Sequence, residues 1–167
     1  MRVLLCALGL WAWVLFAFSG CGGPSFDGSV YRGKDVSFRV GPLQGAWRRI
    51  EVDGALLAFR DDQSEATIAM NGRCGVDGDD VPLQALNTHL FLNFTKRRVV
   101  SQQTLTLDGR EALRTELSAE LDGVPREFVV YVLKKDGCVY DFWRISEPTA
   151  ADAAPFEGFV KGFATES

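Results

Sequence analysis

The stretch Val99–Ile145, VVSQQTLTLDGREALRTELSAELDGVPREFVVYVLKKDGCVYDFWRI, decides the fold. Four β-like runs lie in it: Val99–Leu107, Arg110–Leu121, Pro125–Lys134 and Cys138–Ile145. Between them stand Asp108-Gly109, Asp122-Gly123 and Asp136-Gly137. An Asp-Gly pair between strand-like runs favours a two-residue hairpin, because glycine accepts positive φ without steric cost. Three such pairs predict four antiparallel neighbours. Arg126–Leu133 is apolar on both parities, which predicts a strand buried on both faces at the centre of the sheet. In the run before it, Leu113, Thr115, Leu117 and Ala119 alternate with Arg114, Glu116 and Ser118. That pattern predicts a half-exposed strand or one near an edge.

Working outward, Leu83, Leu86, Leu90 and Phe94 recur at three- and four-residue steps and predict an amphipathic helix. Asp80 is its candidate cap, Pro82 sits where an early proline is tolerated, and Lys96-Arg97-Arg98 follows its last turn. Upstream, Asp35–Val40, Trp47–Val52, Ala55–Arg60 and Glu65–Arg73 read as strands. Gly41-Pro42 stops the first, and Asp53-Gly54 marks a hairpin between the second and third. Downstream, Phe156, Phe159, Val160 and Phe163 make the apolar face of a helix over Thr149–Ala164, with Pro155 as an alternative start. Each helix must bury its stripe against a sheet face. The expected fold is α+β: a largely antiparallel sheet covered by two amphipathic helices, a helix–sheet–helix sandwich in the order ββββ-α-ββββ-α.

The amino end reads differently. Val3–Cys21, VLLCALGLWAWVLFAFSGC, is an apolar run behind Arg2 that ends in Phe18-Ser19-Gly20-Cys21. A basic start, an apolar middle and small residues before a cut are the layout of a secretory signal peptide. A cysteine directly after the small residues resembles a bacterial lipobox, although Phe18 stands where leucine is usual. The expected organisation is a lipoprotein signal peptide over residues 1–20, removed; a lipidated tether over 21–34; and one α+β domain over 35–167. Acyl groups of the palmitate type on Cys21 would hold the protein to a membrane, since two or more chains anchor firmly where one does not. The alternatives are a plain signal peptide with Cys21 an ordinary residue, and an uncleaved anchor, for which the run falls short of the ~20 residues a spanning helix needs. Gly22, where an aspartate favours inner-membrane retention in enterobacterial lipoproteins, points to the periplasmic face of an outer membrane, if there is one.

Taking Arg2 from 18 basic residues, against 22 acidic ones, leaves a formal mature charge of −5. With no basic excess, nucleic acid is not an expected partner. Of the four cysteines, Cys6 leaves with the leader and Cys21 is lipidated. Cys74 and Cys138 remain, and a pair in an exported protein reads as a disulfide worth about 4 kcal/mol at most. The alternative is two buried free thiols.

The order of elements resembles that of PsbP-like proteins and DcrB-type envelope lipoproteins. The likeness rests on Asp35-Val36-Ser37-Phe38-Arg39-Val40, on Gly45-Ala46-Trp47, and on the Leu-striped helix. Leu107-Asp108-Gly109-Arg110-Glu111-Ala112 at a hairpin and the closing Phe-rich helix complete it. It implies the same sandwich and a non-catalytic binding or assembly role, and it carries over no functional residue.

Candidate chemistry is sparse. His89 is the single histidine and lies beside the Leu stripe, with no Gly-x-Ser-x-Gly elbow to serve. Asp77, Asp79 and Asp80 cluster oxygen ligands of the kind calcium takes, but lack the length and closing glutamate of an EF-hand loop. A solvated loop explains them, as it does Asp61, Asp62 and Glu65. Trp47, Tyr131, Tyr140, Phe142 and Trp143 are expected to fill the core, or else to line an apolar ligand site between sheet and helix. No cofactor is expected. Three functions follow: a non-enzymatic envelope binding or assembly module with a protein partner, a carrier of a hydrophobic small molecule, and an enzyme.

Overall fold

The computed structural model describes residues 23–75, 80–148 and 152–166. The expected leader, Cys21, Asp77 and Asp79 lie outside the described residues. In chain order the strands and helices are β1 (Ser25–Phe26), β2 (Val30–Arg32), β3 (Ser37–Arg39), β4 (Arg48–Ile50), β5 (Leu57–Asp61), β6 (Ala66–Cys74), α1 (Leu83–Leu90), β7 (Thr95–Leu107), β8 (Arg110–Leu121), β9 (Val124–Lys135), β10 (Cys138–Ser146), α2 (Ala154–Lys161) and β11 (Ala164–Thr165).

The Asp-Gly pairs do what their chemistry predicts. Asp108, Asp122 and Asp136 take φ of 48°, 52° and 53°, and Gly109, Gly123 and Gly137 follow at 72°, 80° and 72°. Two consecutive left-handed residues match the twist of flanking strands, so each pair closes a tight hairpin. The result is a β7-β8-β9-β10 meander in register from Leu107↔Arg110 through Leu121↔Val124 to Lys135↔Cys138. The β6 strand pairs with the far side of β10, giving a seven-stranded antiparallel sheet in the order β4-β5-β6-β10-β9-β8-β7. Phe128–Leu133 of β9 are buried on both parities, as expected, though the middle strand is β10.

The architecture is α+β, but the single-sheet order ββββ-α-ββββ-α is not what forms. A second sheet, β1-β2-β3-β11, takes the opening strand away from the first and pairs it with the tail of the chain. Residues 25–32, expected as tether, are a hairpin whose Tyr31 stacks on Phe38 at 5.0 Å. Ring burial in this small cluster outweighs the local preference of a Gly- and Ser-rich segment for coil.

One face of the large sheet is covered by α1 and the other by α2 with the small sheet. On the α1 side Leu83 and Phe91 pack against Leu113, Leu117, Phe128 and Val130. On the α2 side Phe156, Phe159 and Phe163 meet Phe38, Tyr140 and Phe142. The α2 backbone comes very close to the link after β3: Gly41 N–H donates to the Phe159 carbonyl at 2.9 Å, and a Cβ on Gly41 would fall 2.1 Å from the Gly158 oxygen.

Both helices are shorter than their stripes suggest. Helix α1 stops at Leu90, and Phe94 reaches Phe128 from the connection that follows, rings 4.8 Å apart. Pro82, not Asp80, occupies its N-cap, without a side-chain cap. The backbone ahead of a proline is pushed out of the helical region, so the helix opens after Pro82 and leaves Asp80 outside it. At the other end the Phe91 carbonyl accepts from the Phe94 N–H at 3.1 Å and from Arg97 Nη1 at 3.0 Å. Helix α2 begins at Ala154 with Pro155 in its first turn, and not at Thr149.

Candidate functional site

Strand β8 alternates as its sequence predicts, burying Leu113, Leu117 and Ala119 on the α1 side. Its other parity is not left to water. The Arg114 guanidinium lies under α2, where Nη2 donates to Glu157 Oε1 at 2.8 Å and Nε donates to the Tyr131 hydroxyl at 3.0 Å. Arg114 Nη1 stands 2.7 Å from Glu116 Oε1. The Tyr131 hydroxyl in turn donates to Glu157 Oε2. Three elements, β8, β9 and α2, are thus joined by one cation, two carboxylates and a phenol. A groove of about 560 Å³ opens above them, lined also by Gln103 and Leu105 of β7 and by Asp108.

Burial alone would make Arg114 easier to deprotonate, but the Glu157 and Glu116 carboxylates outweigh it and hold the guanidinium firmly charged. Burial, then the Glu157 carboxylate, pushes the Tyr131 phenol well above its ordinary range. The Arg114 guanidinium holds Glu116 below the usual carboxylate range. The arrangement is that of a clamp fixing α2 on the sheet. A second clamp stands at the groove's end. Lys135 donates to Asp108, which also accepts from the Thr165 amide at 2.9 Å, tying the β7–β8 turn to β9 and β11. Burial raises the Asp108 carboxyl, and Lys135 with the Thr165 amide overcomes that and leaves it lowered.

The residues singled out from sequence are distributed over the molecule. Cys74 and Cys138 are joined, S–S 1.97 Å, directly opposite each other in the β6–β10 ladder with Cα atoms 4.0 Å apart. They occupy a non-hydrogen-bonded position, since Gly75 N–H donates to the Gly137 carbonyl just beyond them. His89 is exposed on α1. Asp80 is exposed, and no group of three or more His, Cys, Asp or Glu able to hold a metal occurs among the described residues. Asp62 accepts from Arg48 at 2.9 Å, while Asp61 accepts from Ser64 at 2.7 Å, so this acidic turn is consumed locally. Tyr131, Tyr140 and Phe142 are core residues of the α2 side, whereas Trp143 packs on Phe91 on the α1 side at 5.5 Å.

Sequence reasoning misses two groups. Arg114 and Glu157 each look like solvent-facing charges of their own element, and only the crossing of α2 over β8 and β9 brings them together. Asp141 is 2 % exposed inside β10, accepting from Trp143 Nε1 at 2.9 Å with Arg73 3.2 Å away. Burial pushes its carboxyl up against the opposing pull of Trp143 and Arg73. Its only sequence signal is a charge inside an apolar strand.

The layout is that of a PsbP-like fold. The chain is similar to the cyanobacterial PsbP (CyanoP) of Synechocystis sp. PCC 6803, at 15% identity and TM-score 0.57, over 89% of this chain and 99% of that one. It is similar to LpqN of Mycobacterium tuberculosis, described as involved in cell envelope biogenesis, at 15% identity and TM-score 0.53, over 81% and 87%. A structure from Bacteroides thetaiotaomicron VPI-5482 matches with TM-score 0.57 at 10% identity, over 78% of this chain and 45% of that one. At such identities the likeness is one of fold. No family model matches the chain, and no curated protein matches it. No helix among the described residues is long and apolar enough to cross a membrane.

Proposed function

We propose that the protein is a non-enzymatic binding or assembly module of the cell envelope, held at a membrane by acyl chains on Cys21. The observation that carries this reading is the Cys74–Cys138 bridge between β6 and β10. Structural disulfides belong to oxidising compartments, which agrees with the export layout of Val3–Cys21. A fold shared with an envelope biogenesis protein is in keeping with it. Gly22 after the cysteine favours the periplasmic face of an outer membrane if the cell has two membranes.

The test is genetic and simple. A Cys21→Ala precursor should lose acylation and the cleavage that depends on it, and any form cleaved by another route should leave the membrane fraction. A cleaved Cys21→Ala form that remains membrane-bound would refute the anchor.

A carrier role has one observation in its favour, the groove between α2 and the outer strands of the sheet. Its floor of Arg114, Tyr131 and Glu157 suits a ligand with a polar end better than a wholly apolar one. Native mass spectrometry of protein purified from its own envelope should then show a co-purified amphiphile, and its absence would leave the assembly role alone.

A further inference from the structure

The two edges of the large sheet are built differently. Strand β4, at one edge, is three residues long and carries Arg48 and Arg49. Shortness and charge of this kind keep a sheet edge from pairing further. Strand β7, at the other edge, is 13 residues long, and among the described residues no strand pairs with its outer side. Its two halves also differ. The first carries Lys96, Arg97 and Arg98 and is broken by register shifts between Thr95 and Arg98 and between Val99 and Ser101. The second, residues 101–107, runs without a shift from Ser101↔Glu116 to Leu107↔Arg110. Its sequence, SQQTLTL, has no charge, no proline and no glycine. Residues 101–104 and Thr106 are exposed.

The hairpin fixes which backbone groups of this half point outward. A two-residue turn at Asp108-Gly109 makes Leu107↔Arg110 a hydrogen-bonded pair. In steps of two, Leu105, Gln103 and Ser101 also bond to β8, so Gln102, Thr104 and Thr106 turn N–H and C=O away from it. Such a row is a template for another strand. The segment is self-complementary under a two-fold axis at Thr104. The shift that ends at Ser101 and the turn that follows Leu107 bound it symmetrically. Antiparallel pairing about that axis sets Thr104 against its own copy, Gln102 against Thr106 and Gln103 against Leu105. Every outward-facing residue then meets another outward-facing residue, and no charge meets a like charge. Opposed threonines suit a cross-strand pair. On the α2 side Leu105, packed against the core, comes diagonal to the same leucine of the second copy, within reach of a long side chain.

We infer that residues 101–107 form the interface of a two-fold dimer, in which the β7 edges of two copies pair antiparallel about Thr104 and the two large sheets become one. The pairing gives the assembly reading a partner, a second copy of this chain, and is independent of the anchor at Cys21. The experiment uses purified mature protein in detergent, with sedimentation velocity over a dilution series reading the dimer fraction. Thr104→Lys and Thr104→Glu each set like charges against each other at the axis, on an exposed position. Each variant alone should raise the dimer dissociation constant by about tenfold or more. An equimolar mixture of the two should return it to within about threefold of wild type, because lysine now faces glutamate. A variant that merely misfolds gains nothing from mixing. Wild type that stays monomeric at every dilution would overturn the interface, as would single variants that dimerise as wild type does. A mixture no better than its components would also overturn it. Intact mass of the same sample reads Cys21 separately, so the dimer and the anchor fail independently.

Discussion

At the scale of single residues, charge burial separates groups that matter from groups that decorate. Arg114 is held by two carboxylates and a phenol, and removing it leaves Glu157 with an unmet negative charge beneath α2. Arg114→Ala should cost about 2–3 kcal/mol in urea unfolding. Lys96→Ala, which breaks an exposed pair with Glu120, should cost under about 1 kcal/mol. Equal costs for the two would contradict the clamp. Asp141 makes a different prediction. Its carboxyl is raised by burial, so the native state takes up a proton before the unfolded chain does as pH falls. The site therefore disfavours folding at neutral pH, and that penalty fades as pH drops toward the ordinary carboxylate range. Asp141→Asn keeps an acceptor for Trp143 and removes the buried charge. The variant should melt above wild type at about pH 7, with the gap narrowing by about pH 4. A gap that widens in acid would reverse the assignment.

At the scale of elements, α2 is fixed by shape as much as by charge. Gly41 and Gly162 let backbone meet backbone, and a Cβ on Gly162 would fall 2.3 Å from Gly41 Cα. Gly41→Ala must push α2 off the sheet, and overpacking of this kind costs about 1–3 kcal/mol. Phe159→Ala, which empties a fully buried site between Phe59 and Phe142, should cost about 3–5 kcal/mol. Thermal melts of both variants check this, and wild-type stability in either would mean that α2 is not docked as described. The Gly41-Pro42 pair is readable as a strand stop, but its closeness to α2 is not, because that contact joins segments over a hundred residues apart. Asp-Gly chemistry is local, so the meander from β7 to β10 is legible in the amino-acid sequence itself. The short strands β1, β2 and β11 have no local signal, since their two or three residues pair only because Phe38 and Phe163 collect rings around them. Alternation puts Arg114 on the correct face of β8 but makes that face look solvated, because nothing within β8 shows that α2 will cross it.

At the scale of the whole molecule, the Cys74–Cys138 bridge closes a chain separation of 64 residues that includes α1 and the β7-β8-β9 hairpins. Reduction should lower stability by up to about 4 kcal/mol, read as a shift in the urea midpoint with and without reductant. Alkylation of the unreduced, denatured mature protein should find no free thiol among these two. The proposed export and lipid attachment rest on the apolar run Val3–Cys21, with which the bridge is in keeping. Intact-mass analysis of natively expressed mature protein tests that claim most directly. The account predicts a chain beginning at Cys21 and heavier than its amino acids by a diacylglyceryl group and, in the fully acylated form, a third fatty acyl chain. A bare Cys21, or a leader still attached, would contradict it.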